Sequence, residues 1–280
     1  MIDVYVYFQG DIKIDESLYS TFCDVKNKLG YKCSGTIKII DVMPDGTVYP
    51  KETWSIAKKH SDIQSWNLLV NGKLGNCDDE KTLTKCVNEC VNAVFQWRTS
   101  GYRGKVMIDV EPTEDLYVKT VASFLSKILT KLGTSEIQVG AYVSGHVISL
   151  LNTKPNASLW SNLITALNLS SNELDLPCYS DCGDSTQLAG IITNLGKLNI
   201  KVNPIIGISG NESRGLKKTT ELLTRLQSVK DNIDRLVLFQ VGFGVVIDDK
   251  VLNAIKGYCN DVHYHDRCSS YQSSKPNPFS

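Results

Sequence analysis

Short apolar runs recur along this chain at near-regular intervals, with longer amphipathic stretches between them. The runs are Ile2–Phe8, Thr36–Val42, Trp66–Val70, Lys105–Val110, Ile137–Val143, Leu174–Tyr179, Lys201–Ile208 and Arg235–Val241. Each is short and rich in β-branched or aromatic residues, the pattern of a buried strand. The stretches between them have helical spacing. Asp79–Arg98 sets Leu83, Cys86, Val87, Cys90, Val91, Val94 and Phe95 on one stripe. Thr113–Leu132 does the same with Leu116, Val121, Phe124, Leu125, Ile128 and Leu132, and Gly133 follows as a C-cap signal. Glu16–Leu29, Thr53–His60, Ser185–Leu198, Leu216–Val229 and Asp249–Tyr258 read as further helices, and Gly145–Leu167 as a broken helix with a loop around Pro155. This alternation predicts an α/β fold, a single (β/α)8 TIM barrel over residues 1–268, with a polar tail over 269–280. A doubly wound sheet is the alternative, but neither G-x-G-x-x-G nor a P-loop is present.

Composition narrows the function. At 280 residues and 42% hydrophobic, the chain can bury a core without metals or disulfides. Lysine plus arginine and aspartate plus glutamate balance at 30 each, which argues against a nucleic-acid or anionic-membrane partner. No apolar run approaches the ~20 residues of a membrane span. The N-terminus reads as a strand rather than as a basic region followed by an apolar one. The compartment stays open between cytoplasm and secretion after loss of a leader. Asn156, Asn168 and Asn211 begin formal glycosylation sequons of little weight. Nine cysteines leave at least one unpaired in a monomer.

In a (β/α)8 barrel the chemistry sits at the C-terminal ends of the strands. The fourth run ends Val106-Met107-Ile108-Asp109-Val110-Glu111-Pro112. Side chains alternate along a strand, so Met107, Asp109 and Glu111 share one face. Two carboxylates roughly 7 Å apart on one strand push one pKa up, as a general acid requires. The competing reading makes Asp109-Val-Glu-Pro an N-cap for the following helix, with Glu111 solvated.

These residues resemble the glycoside hydrolase family 18 superfamily of chitinases, endo-N-acetylglucosaminidases and catalytically inactive chitinase-like lectins. The family's strand-four motif is D-G-x-D-x-D-x-E. Here Gly104-Lys-Val-Met107-Ile-Asp109-Val-Glu111 keeps the last Asp and the Glu, with Gly104 and Met107 at the first two Asp positions. The segment Met43-Pro-Asp-Gly-Thr-Val resembles the turn after strand two, and Leu68-Leu-Val-Asn-Gly72 stands where strand three has S-x-G-G. The helix segment Val91-Asn-Ala-Val-Phe-Gln-Trp97 is also similar. Pro177-Cys-Tyr179-Ser-Asp181 falls where M-x-Y-D is expected, with Asp181 one residue late. Phe239 or Gln240 replaces the strand-eight Trp.

The resemblance implies no cofactor and no metal, and an oligosaccharide or polysaccharide partner containing N-acetylglucosamine. Glu111 would protonate the glycosidic oxygen. Asp109 would orient the substrate's own 2-acetamido nucleophile, the substrate-assisted variant of retaining hydrolysis. Tyr179 would hydrogen-bond the acetamido oxygen. Tyr7, Tyr142, Asp181, Phe239 and Gln240 would line the sugar site. Met107 cannot share the hydrogen bond that the family's Asp gives to the next Asp, which favours the second reading: an inactive lectin, inhibitor or structural protein. A family 25-type lysozyme is a further alternative. It would need an acid near strand one, where Asp3 comes too early and Asp11 too late.

Two cysteine constellations remain. Cys259, His263, His265 and Cys268 have the donor types of a zinc site, but a Cys259–Cys268 disulfide or free thiols fit the spacing better. Cys178 and Cys182 could pair across a turn. A catalytic Cys182 would need His146 as its base.

Overall fold

The computed structural model describes residues 2–6, 8, 12–30, 33–61, 63, 66–77, 79–135, 137–143, 158–169, 171–178, 185–208, 216–233, 235–241 and 247–261. Strands and helices alternate: β1 (Ile2–Val6), α1 (Ile12–Leu29), β2 (Cys33–Val42), β3 (Val48–Pro50), α2 (Trp54–Lys59), β4 (Trp66–Leu74), α3 (Glu80–Thr99), β5 (Val106–Pro112) and α4 (Val118–Gly133). The second half adds β6 (Val139–Tyr142), α5 (Ser158–Leu167), β7 (Asn172–Pro177), α6 (Ser185–Lys197), β8 (Val202–Gly207), α7 (Leu216–Gln227), β9 (Leu236–Val241) and α8 (Asp249–Asp261). One curled sheet holds all nine strands in the order β1-β9-β8-β7-β6-β5-β4-β2-β3. Eight are parallel, and β3 is antiparallel to β2. The first strand also pairs with β2, Ile2 opposite Cys33 and Asp3 opposite Ser34. Parallel strands need a crossover between them, and the amphipathic stretches supply it.

The helices cover the outer face. Leu18, Phe22, Val25 and Leu29 of α1 are buried at helical spacing, as are Phe124, Leu125, Ile128 and Leu132 of α4. They share one core with the outward side chains of the strands. Neighbouring helices pack in series, α3 on α4, α4 on α5, α6 on α7, α7 on α8, and α8 back on α1. Asp79 caps α3 by accepting from the backbone N–H of Thr82 at 2.9 Å. Trp54 of α2 stacks on Trp97 of α3 with centroids 3.7 Å apart.

Several expected boundaries move. The strand after Trp66 runs past Val70 to Leu74, because Asn71 and Gly72 continue the ladders to both β2 and β5. A Cβ on Gly72 would lie 2.0 Å from the Val42 carbonyl oxygen, so this approach admits only glycine. Strand β3 was not anticipated at all. Gly133 is no C-cap: it is the last residue of α4, Thr134 after it stays right-handed, and its bareness makes room for Asn172. Helix α4 starts at Val118 after a 3-10 turn over Asp115–Tyr117, which leaves Leu116 exposed. Phe95 also faces solvent, and Trp97 takes the buried place on α3. Residues 144–157 lie outside the described set, so of the broken helix only α5 can be placed.

At the base of the curled sheet the inner face is ionic. Lys105 Nζ lies 2.8 Å from Asp175 Oδ1 and 3.4 Å from Glu173 Oε2, and Arg235 Nη2 lies 3.3 Å from Glu173 Oε1. Asn203 Nδ2 donates to both carboxylates, at 2.6 and 2.9 Å. All five side chains are buried. Gly140 belongs to this arrangement, since a Cβ there would sit 2.2 Å from Lys105 Cε and 2.3 Å from Asp175 Oδ2. Burial alone would raise the carboxyl pKa of Glu173. Lys105 and Arg235, with hydrogen bonds from Asn203 and Gln138, instead hold it at about 2, below its ordinary 4.5.

Replacing Lys105 with Met strands one buried carboxylate, and urea unfolding should show a loss of roughly 3–5 kcal/mol. Glu173 is depressed in the folded state, so its contribution is complete above pH 4.5 and declines as the pH falls toward 2. Urea midpoints measured between pH 6 and 2.5 should drop through that window, and Glu173→Gln should flatten the slope.

Candidate active site

Above the ionic base the inner face becomes apolar. Leu69 of β4, Met107 of β5, Ile205 of β8 and Val237 of β9 form one buried cluster, against which Tyr142 of β6 and Phe239 of β9 pack half-buried. Thr36 Oγ1 of β2 approaches Met107 Sδ at 4.0 Å. This layer separates the ion pairs below from the strand ends above.

The next inward position on β5 is Asp109 and the one after it Glu111, both partly exposed. Strand β5 continues through Pro112 and α4 begins only at Val118, so neither carboxylate caps a helix and the N-cap reading falls. Asp109 stands in register opposite Asn71, whose Nδ2 donates to Asp109 Oδ2 at 3.0 Å and to the Asp109 carbonyl at 3.2 Å. Asn71 therefore supplies the kind of partner that Met107 cannot give. Sequence reasoning missed it because Asn71-Gly72 reads as the end of a strand. The only available signal was its position two residues beyond Leu69 on the inward face. Glu111 lies opposite Lys73, and its carboxylate has no hydrogen-bond or ion-pair partner among the described residues.

The two departures from the strand-four acid pattern have different physical counterparts, one steric and one a matter of desolvation. A Cβ on Gly104 would lie 1.8 Å from the Trp66 carbonyl oxygen, so no side chain fits there. Met107 is 1% exposed in apolar surroundings, where a carboxylate would be desolvated.

Of the residues expected to form the site, the inner face brings together Asp109 and Glu111 at the strand ends, with Tyr142 and Phe239 on the apolar layer beneath. Tyr7, Tyr179 and Asp181 lie outside the described residues, as does the side chain of Gln240. The same holds for His146, Cys182, His263, His265 and Cys268. Cys178 is buried at the end of β7, its Sγ 3.4 Å from the Leu176 carbonyl oxygen. Burial pushes the Cys259 thiol up to about 11. Among the described residues no helix is long and apolar enough to cross a membrane.

The fold has counterparts among solved structures. A chitinase from Chromobacterium violaceum ATCC 12472 superposes with a TM-score of 0.59 at 10% identity, covering 92% of this chain and 98% of its own. A class V chitinase from Pseudomonas fluorescens Pf-5 gives 0.60 at 9%, covering 91% and 99%. The chain has the fold of these chitinases. The spore cortex-lytic enzyme SleL of Bacillus cereus gives 0.57 at 12%, covering 91% of this chain and 73% of that one. No family model and no curated protein sequence matches the chain. At such identities the likeness is one of fold, and at that level the resemblance drawn from the sequence holds. The chitinase-like barrel fold also accounts for the strand ends gathering Asp109 and Glu111 on one side of the sheet.

Met107→Leu should cost less than about 1.5 kcal/mol, since volume and polarity are kept. Met107→Asp should cost roughly 3 kcal/mol or more, because it places an unpaired carboxylate in the apolar layer. Chemical denaturation of the two variants side by side checks both.

Proposed function

We propose that this chain is a family 18-type glycoside hydrolase that acts on N-acetylglucosamine-containing glycans, its sheet closed into a full (β/α)8 barrel by the pairing of β1 with β2 and spanning residues 1–268 ahead of a polar tail. The observation that carries the reading is the Asp109–Glu111 pair, set on one inward face at the strand ends, with Asn71 anchoring Asp109. Glu111 is the proton donor to the glycosidic oxygen. Asp109, fixed by Asn71, orients the 2-acetamido group that attacks the anomeric carbon, and the oxazolinium intermediate is then opened by water. Tyr142 and Phe239 offer aromatic surface beside the sugar ring. Tyr179 donates to the acetamido oxygen, and Tyr7, Asp181 and Gln240 complete the lining. That these structural neighbours are chitinases supports a polysaccharide as the substrate class.

The second reading is a lectin-like protein with the same glycan preference and no turnover. Met107 favours it: the side chain at that position is an apolar thioether, where the family's strand-four motif has an Asp.

Hydrolysis of fluorogenic chito-oligosaccharides across pH 4–8 decides between them. Turnover by the wild-type chain should fall at least 10³-fold in Glu111→Gln, since the removed proton donor has no substitute. Binding without turnover in either protein establishes the lectin reading. Absence of both overturns the glycan assignment.

A further inference from the structure

Strand β2 carries a β-bulge, its register with β4 shifting between Lys38 and Ile40. One residue is thereby inserted, and Ile39 and Ile40 both face the outer core. As a result Lys38 and Asp41, three residues apart, share the inner face: Lys38 stands opposite Leu69 of the apolar layer, and Asp41 opposite Asn71. The antiparallel strand β3 then brings Lys51 alongside.

Lys38 Nζ lies 2.8 Å from Asp41 Oδ1, and Lys51 pairs with the other carboxylate oxygen. The side chains are 11%, 22% and 32% exposed for Lys38, Asp41 and Lys51. Burial would raise the Asp41 carboxyl pKa, but hydrogen bonds from the two lysines hold it below its ordinary value, so it is ionised at neutral pH. Two ammonium groups thus share one carboxylate, and none of the three side chains has another hydrogen-bond or ion-pair partner among the described residues. The trio carries a surplus positive charge in a partly desolvated place. A cation out of water is stabilised by an anion, and a second carboxylate can accept from both ammonium groups.

Asp41, Asn71 and Asp109 lie in successive register across β2, β4 and β5, which sets the trio about two strand spacings, roughly 10 Å, from Asp109. The neutral Asn71 stands between the trio and the acids. We propose that Lys38 and Lys51 form a subsite for a carboxylate carried by the glycan, so that the substrate class is an acidic amino-sugar chain rather than a neutral one. This rests on the glycan reading above.

Titration calorimetry at pH 7 and low salt, with size-matched oligosaccharides of carboxymethyl-chitin and of neutral glycol chitin, tests it. The wild-type chain should bind the carboxymethylated oligosaccharide at least ten-fold tighter. Lys51→Gln should bring the two affinities within two-fold while leaving glycol-chitin binding unchanged, and Lys51→Arg should keep the preference. Lys51 is the better probe because Lys38 is nearly buried, and an unchanged thermal midpoint shows that the variant is folded. Equal affinity of the wild-type chain for the two oligosaccharides overturns the subsite and leaves the glycan reading standing, and so does a preference that survives Lys51→Gln. Failure to bind either one overturns both.

Discussion

Two carboxylates kept out of water at the base of the sheet, Glu173 and Asp175, set the terms for everything above them. Neither could be buried alone, and Lys105 and Arg235 compensate them from strands 60 to 70 residues away in sequence. Such a cluster is strong only while water is excluded. The layer of Leu69, Met107, Ile205 and Val237 provides that exclusion, and the same layer is the surface on which Tyr142 and Phe239 rest. Lys105, Met107, Asp109 and Glu111 alternate along one strand, so a single inner face passes from cation to thioether to two acids. The polarity of the candidate site is the top of that gradient.

The layering gives Met107 a meaning that a motif comparison lacks. Read against the strand-four pattern, it is a missing acid. Read in the structure, it is part of the partition between two charged compartments. Asn71 donates to Asp109, and an amide does so without adding negative charge. This arrangement is compatible with hydrolysis and with binding alone. The choice between them depends on how far an amide can stand in for the Asp of the family's motif.

Much of the architecture was legible because buried parallel strands are short and apolar and their crossovers are amphipathic. The eight runs and the helices came from that contrast, and side-chain alternation placed Asp109 and Glu111 on one face. What stayed hidden depends on pairing across the sheet. Lys105, Glu173, Asn203 and Arg235 sit at strand starts, and nothing in the sequence joins them into one ionic cluster, because their partners are 30 to 70 positions away. The extension of β4 through Asn71 and Gly72 was lost for a related reason: those residue types mark turns, unless a neighbouring carbonyl leaves room for nothing but hydrogen. The bulge at Ile39 lies inside a run that reads as one continuous strand, and it turns Lys38 and Asp41 to the same side.

The bare α-carbon of Gly104, pressed against the Trp66 carbonyl, also constrains how such a chain can change. An acid cannot be introduced at that position by substitution alone, because the neighbouring strand must first withdraw. At position 107 a new acid meets an apolar layer that three other strands have been shaped to complete. A route from this site to the full set of four strand-four acids therefore passes through intermediates that fold less well than either end. Lineages carrying the reduced set would tend to stay with it, whatever use they make of the remaining pair.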